Sequence, residues 1–426
     1  MLAPYEIATL RVKGQLDEAY AAVCQSLAAN PDSIELKRLL GFILCDRLKL
    51  SATSSPALFI DQLRDFRQAA IPASETRLYD SLLWNIRAFV LDEHKSADQL
   101  PQYLTALFDV IRDMPIRRPC APFSLLVSAV LHKGSRWNGV GEFAYWCGFD
   151  CLRDEDFQPF LTKEGKRLMA LAEQLDCKIA KALLDTNDQQ RIRTFIPQQE
   201  TLCLQHPNYV YPPYYLAKMY LCLGNSDKAL SLLLPFVRKK PNEFWVWELL
   251  AEAATDVEMQ MAFFCKALLC KTREGMNVSL LQNAATFFAN ARLYDAARYL
   301  IDKASRIRQN HHWALTQPLL SMMRQPWYAA AQSHIDQRWV EQKAAEAETH
   351  IPHLKKKTAT TPPAETMPFS GTLRLNVKGF GFVKEVYIPA RLLTCQRNGD
   401  TISGLAEKRF DKKKNQWGFA AVKIDG

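Results

Sequence analysis

Near the carboxyl end of the chain, Lys378-Gly379-Phe380-Gly381-Phe382-Val383 is followed, after only Lys384-Glu385, by Val386-Tyr387-Ile388-Pro389. Side chains two apart on a strand share a face. Lys378, Phe380 and Phe382 therefore fall on one side, and Gly379, Gly381 and Val383 on the other. In the second run Val386 and Ile388 form the apolar pair, which leaves Tyr387 on the opposite face. If the two runs pair, three rings and a cation share one face of a small sheet. Flat rings beside a positive charge are what stacking the bases of a single strand requires. The plainer alternative is a hairpin whose rings pack into a core. Against it, the glycine side has too little bulk to be the only core face.

More charge follows. Lys408-Arg409 and Lys412-Lys413-Lys414 flank Phe410 in what reads as the loop before the last strand. A lysine run is usually a solvated loop. Beside an aromatic face it can also neutralise phosphates, each steepening the dependence of log K on log salt by ~0.7. Trp417 and Phe419 alternate with Ala420, Val422 and Ile424; the two rings either extend the platform or plug a barrel end. From residue 369 onward there are eleven Lys and Arg against five Asp and Glu, a net of +6 out of +9 for the whole chain. That asymmetry points to a polyanionic partner for the C-terminal part.

The elements that must position these residues read as five short strands at 371–377, 379–383, 386–388, 399–406 and 417–424, with a turn at Arg397-Asn398-Gly399-Asp400. Five strands in so short a span is the size of a small OB-type barrel. Gly371-Thr372-Leu373-Arg374, the Lys-Gly-Phe-Gly-Phe-Val run, Val-Tyr-Ile-Pro and Asn398-Gly399-Asp400-Thr401-Ile402 follow the order of a cold-shock domain. The closest variety resembles that of RNase R-type exoribonucleases, where a proline also follows the second aromatic strand. The resemblance implies that Lys378, Phe380, Phe382 and Tyr387 stack and clamp single-stranded bases. Arg374, Lys408, Arg409, Lys412, Lys413, Lys414 and Trp417 are counted with them as candidate contacts. Three departures lower the expected affinity. Leu375 stands where the family often has a stacking tryptophan, Pro389 replaces a histidine, and the connection between the two motifs is cut to Lys384-Glu385.

The rest of the chain is helical in pattern. Gly14, Ala19 and Pro31 recur at identical spacing as Gly224, Ala229 and Pro241. The glycine turns the chain between antiparallel helices, the alanine lets them approach, and the proline closes the second. Trp247, Leu250 and Ala251 follow Pro213, Leu216 and Ala217 by 34 residues each. A further unit is legible in Ala285, Phe288, Ala297 and Ala304, with Arg292 where the glycine was. This resembles the tetratricopeptide repeat family over roughly residues 1–35 and 207–308. Asp61 to Val90 and Pro101 to Ile111 read as amphipathic helices, and Ser135 to Asp156, rich in glycine and aromatics, as an irregular connection or an inserted corner. The expected fold class is mainly α. A solenoid of degenerate helical hairpins over residues 1–340 is followed by a helix end and a Lys/Thr/Pro linker over 341–368 and by the cold-shock-like OB domain over 369–426. Stacked helix pairs imply a concave surface for protein partners.

Catalytic signatures are absent: no Walker loop, HExxH, GxSxG or DFG-type set occurs. The chain reads as non-catalytic, with no cofactor. Asp154-Glu155-Asp156 has the chemistry to hold a divalent cation but, as a sequence-local acid cluster, reads as a solvated loop; Asp92-Glu93-His94 and His311-His312 lack companions at ligand spacing and read as surface, so no metal site is expected. The eleven cysteines include no CxxC pair and read as reduced thiols. No apolar run approaches the roughly 18 residues a membrane span needs, and the amino terminus lacks a signal-peptide pattern; a cytoplasmic protein that meets no membrane is expected. The leading expectation is an adaptor gripping single-stranded RNA or DNA through its OB domain and protein partners through its repeats. The alternative is a protein–protein scaffold whose barrel also docks protein. The domain order and barrel motifs are also similar to those of accessory proteins of TOTE-type bacterial conflict systems, which would imply a role in antiviral defence.

Overall fold

The computed structural model describes residues 2–161, 165, 167–351, 366–376, 379–393, 396–411 and 416–425. The chain divides into two compact units, Met1–His350 and Ile351–Gly426.

The first unit is built from nineteen α-helices among the described residues, most of them packing on a helix one or two places away along the chain. Several of its hairpin turns share one geometry. Helices Pro4–Val12 and Leu16–Ala29 are joined through Gly14 at φ +81°, and helices Pro212–Cys222 and Ser226–Lys239 through Gly224 at φ +76°. In the first, the Gln15 N–H donates to Leu10 O over 3.0 Å; in the second, Asn225 N–H donates to Tyr220 O over 2.8 Å. Both are left-handed helix stops that satisfy a carbonyl of the preceding turn. Helices Val278–Asn290 and Tyr294–Asn310 are joined in the same way although the turning residue is Arg292, held at φ +61° while Leu293 N–H donates to Phe288 O over 2.8 Å. Tertiary packing therefore imposes on an arginine a conformation that glycine adopts at no cost. Two more such turns, at Asn187 (φ 51°) and His312 (φ 56°), carry no glycine signal. The alanines of the pattern, Ala19, Ala229 and Ala297, are fully buried where paired helices meet.

The stretch from Ser135 to Asp156 differs from the expected irregular connection, because it contains the α-helix Val140–Cys147 between 3-10 turns. A Cβ on Gly141 would stand 2.1 Å from that of Ala182, so the glycine is there to let this helix touch Leu171–Thr186. The aromatics that disguised it form a cluster in which Phe108 lies 5.5 Å from Phe143 and 5.5 Å from Trp146, ring centroid to ring centroid. A two-stranded hairpin, β1 (Phe160–Leu161) with β2 (Arg167–Leu168), follows. At the far end, helix Gln337–Ala347 packs on Val257–Leu269, with ion pairs Lys343–Glu258 at 2.9 Å and Lys266–Glu348 at 2.8 Å. No helix among the described residues is long and apolar enough to cross a membrane.

The second unit is a curled mixed sheet of six strands rather than five: β3 (Thr366–Thr372), β4 (Arg374–Leu375), β5 (Gly381–Val383), β6 (Val386–Ile388), β7 (Thr401–Asp411) and β8 (Gln416–Asp425). Their order is β3-β7-β8-β6-β5-β4, antiparallel except for the parallel β6/β8 pair. The extra strand has a local cause. The expected first strand is broken at Leu373, so β3 pairs with β7 and β4 with β5; the two edges of the sheet are consecutive pieces of one bent segment. Leu373 is fully buried, and its N–H donates to Asp400 O over 2.8 Å while its carbonyl accepts from Gly399 N–H over 2.9 Å. The loop at 397–400 thus satisfies the backbone that the break leaves open. Leu373, Val383, Val386, Ile388, Ile402, Ala406, Ala421 and Phe369 form the core.

Candidate nucleic-acid interface

The hairpin β5–β6 closes through only Lys384 and Glu385, with Lys384 at φ +52°. A two-residue loop fixes register, and here it sets Phe382 directly opposite Tyr387. Val383, Val386 and Ile388 point into the core, so the partners of alternation, Phe382 and Tyr387, face outward. Phe380 joins them, 5.9 Å from Phe382 and 5.5 Å from Tyr387, and Phe382 lies 5.7 Å from Tyr387. Tyr387 is 38% exposed; the two phenylalanines are half-buried. The three rings gather on one face as the alternation implies.

The glycine between the phenylalanines has a packing cause. A Cβ on Gly381 would stand 2.6 Å from Leu373 Cδ1 and 3.0 Å from Arg374 O. Leu373 therefore supplies the bulk that the glycine side lacks. Gly381→Ala is expected to destabilise this unit by about 1–3 kcal/mol through overpacking. Thermal melting of the variant checks it, and an unchanged transition would mean that Leu373 gives way freely.

The position of each candidate residue can be stated strand by strand. Arg374 is exposed and stands opposite Phe382 across the β4/β5 pair. Gly379 is not in the strand: it turns at φ +81°, donating its N–H to Asn376 O over 3.0 Å. Lys378 lies outside the described residues, as do Lys412, Lys413 and Lys414. Lys408, Arg409 and Phe410 belong to β7 rather than to a loop. Exposed Lys408 is registered opposite Phe419, which packs against the core, so it stands on the face opposite Tyr387. Arg409 and Trp417 are placed by backbone register, opposite Gly418 and Phe410. The alternative left open for Phe419 is settled. It packs against the core with Ala421, and an irregularity between Leu405 and Ala406 leaves Val422 unopposed and brings Ile424 to the same face. Leu375, in the place of the expected tryptophan, also packs against the core.

Sequence reasoning missed two parts of the ring face. Tyr387 pairs with Ala420, and Ala420 with Glu407, so one row across the sheet reads Arg374, Phe382, Tyr387, Ala420, Glu407. On β8 that face carries Ala420 and exposed Gly418 beside the rings, with open space where a side chain on Gly418 would stand, and exposed Lys423 farther along, opposite Leu405. The alternation of Ile402 and Ala406 with Glu407 was the available signal.

The acid and histidine clusters of the first unit are engaged in structure. Arg153 pairs with Glu155 at 2.8 Å and Asp156 at 2.9 Å, and buried Asp92 holds Lys95 at 2.6 Å. His311 stacks on Trp313 with centroids 4.6 Å apart. No group of three or more His, Cys, Asp or Glu among the described residues gathers where a metal ion could be held. The aromatic run from Tyr209 to Trp247 is mostly core: Tyr209, Tyr220, Phe236 and Trp247 are buried.

No curated protein is significantly similar to the chain. Residues 210–347, within the helical unit, match a domain of unknown function (DUF7017). Residues 367–424, which span the curled sheet and its ring face, match the family of S1/CSD-like domain 2 of the TOTE conflict systems.

Proposed function

We propose that this protein is a non-catalytic adaptor that binds single-stranded nucleic acid on the outer face of its C-terminal sheet and protein partners along its stacked helical hairpins, which resemble tetratricopeptide repeats. The observation that carries the reading is the gathering of Phe380, Phe382 and Tyr387 on one outward face, each ring within 6 Å of the other two. Folding of the core does not require them there, since Leu373, Val383, Val386 and Ile388 fill it from the other side. Arg374 beside Phe382 and the net charge of +6 from residue 369 onward supply attraction to phosphates. The likeness of residues 367–424 to a domain of conflict systems supports a role in bacterial defence against foreign nucleic acid.

Fluorescence anisotropy of the full chain with labelled single-stranded RNA, single-stranded DNA and duplex DNA tests the reading. Both single strands are expected to bind with modest affinity that falls as salt rises, with a slope of ~0.7 per phosphate neutralised. The duplex is expected to bind more weakly, because paired bases do not offer their faces. Equal binding of duplex and single strand would remove stacking from the account. A second reading, in which the sheet docks a protein, rests on the core placement of Leu375, which removes one stacking platform. A partner captured through residues 369–426 and retained after nuclease treatment would favour it.

A further inference from the structure

One half-buried cation of the helical unit meets no acceptor. Arg87 lies on helix Thr76–Leu91 with its Nε sealed from solvent, and among the described residues its guanidinium reaches neither a hydrogen-bond acceptor nor a carboxylate. Arg298 and Arg308 also bury an unpartnered Nε, but each donates from Nη1 to a backbone carbonyl. The acids nearby are out of reach or engaged. Asp80 stands two turns earlier on the same helix, about 10 Å along its axis. Asp92 is held by Lys95 at 2.6 Å, and the adjoining helix Ala121–Lys133 carries no acid. Buried donors are rarely left unmade, so this one calls for a cause.

The surroundings of Arg87 are apolar and open. Its Cζ stands 5.6 Å from the ring centroid of Trp84, which is 44% exposed and whose indole N–H also lacks an acceptor. Phe89, on the far side of the helix, stacks on Phe59 at 4.3 Å and meets Tyr103. Trp84 therefore points away from helices Pro56–Gln68 and Leu100–Ile111. On the adjoining helix, buried Phe123 packs on Trp146 of helix Val140–Cys147, and Leu125, on the opposite side, is 37% exposed. Arginine and tryptophan side chains donate hydrogen bonds and accept none, so a partner must bring the acceptor. We propose that Trp84, Arg87 and Leu125 dock an acidic segment of a partner protein, whose Asp or Glu carboxylate pairs with the Arg87 guanidinium while a large apolar neighbour packs on Trp84 and Leu125. The inference rests on the reading that the helical unit binds protein. A planar guanidinium held beside a ring offers a carboxylate two parallel bonds. A phosphodiester strand fits less well, since its recurring charges need a row of cations, and helix Ala121–Lys133 has none before His132.

The test selects displayed random peptides on the full chain and measures synthetic copies of the enriched ones by anisotropy. Enriched peptides are expected to carry Asp or Glu beside a large apolar residue. Replacing that acid by its amide should weaken binding about tenfold or more, the scale of a hydrogen bond to a charged group. The same loss is expected with Arg87→Met, which keeps the aliphatic stem and removes the donors. Arg87→Lys should recover only part of it, because a point charge lacks the planar fork. Trp84→Ala changes an exposed side chain and should also weaken binding; melting of each variant confirms folding. Enriched peptides whose affinity ignores both Arg87→Met and Trp84→Ala overturn the proposal and leave protein binding by the helical unit in place. No enrichment at all overturns that reading as well. If single-stranded RNA binds the wild type and Arg87→Met weakens it, the donors serve phosphates and the carboxylate is the wrong ligand.

Discussion

Replacing Phe380 and Phe382 together by alanine is expected to weaken binding of a single strand by about a hundredfold, while the sheet still folds. Base–ring stacking contributes ~1–3 kcal/mol per base by alanine substitution. Two rings at the low end of that range give on the order of 2–3 kcal/mol, or about two decades in affinity. Their half-buried state and their T-shaped contact at 5.9 Å mean that each offers one usable face rather than two. The fold should tolerate the change, because the core lies on the other side of the sheet and Gly381 between them is packed by Leu373. Anisotropy measures the binding, and a melting curve of the same variant separates lost contacts from lost structure. Tyr387→Ala should cost less than the pair. If the double variant melts as the wild type does and binds as well, the rings are not the grip, and docking of a protein becomes the better account of this face.

The aromatic face was legible in the sequence because strand alternation is a purely local rule. Val386 and Ile388 being apolar forces Tyr387 outward whatever the rest of the chain does. What could not be read there was everything that depends on a partner strand. The break at Leu373 is fixed by the loop at Gly399 and Asp400, some twenty-five residues away. The parity of Phe419 depends on an irregularity that β8 acquires only by pairing with β7. Lys408 and Arg409 looked like a loop because they are charged, yet a long antiparallel pair carries them as strand. Glu407 was invisible as part of the face until Ala420, between them, placed it on the same side of the sheet as Tyr387.

The helical unit shows the same division. Gly14 and Gly224 announce their turns because glycine adopts a positive φ freely, and the alanines at fixed distance announce the close helix pairs. Arg292, Asn187 and His312 make the same turn without the signal, since packing on both sides of the hairpin imposes it. The helix Val140–Cys147 was hidden by Gly141, a residue that disfavours helix but here makes room for Ala182.

One consequence of that packing is a pH dependence. Asp176 is fully buried on helix Leu171–Thr186, where its Oδ2 accepts from Gln199 Nε2 over 2.8 Å. Its Oδ1 and the Oε1 of Gln199 are both buried without a partner. Glu173, one turn earlier, accepts from the Val210 and Tyr211 N–H groups. Burial pushes the Asp176 carboxyl up to about 7, with the Glu173 charge adding to the rise and the Gln199 hydrogen bond opposing it. A proton on Oδ1 would let it donate to Gln199 Oε1, so acid and amide bond reciprocally and neither oxygen is left orphaned. The folded value lies above the ordinary carboxyl value of 3.8, so the folded chain holds this proton more tightly than the unfolded chain. Its stabilising effect is complete below the ordinary value and is lost as pH climbs through about 7. The full span is on the order of 4 kcal/mol. Asp176→Asn keeps the shape, accepts from Gln199 and donates back to it at every pH. The variant is expected to exceed the wild type by about 1–2 kcal/mol at pH 5 and by several kcal/mol at pH 8.5, measured by urea unfolding. Glu248, pushed up to about 7 mainly by burial, titrates in the same window in both proteins, so the difference between the curves isolates Asp176. Asp176→Leu removes the charge but leaves Gln199 without a partner, and should be less stable than Asp176→Asn throughout. Stability curves of wild type and Asp176→Asn that run parallel from pH 5 to 8.5 would show that Asp176 is ionised in the folded chain, and the reciprocal pair with Gln199 would have to be abandoned.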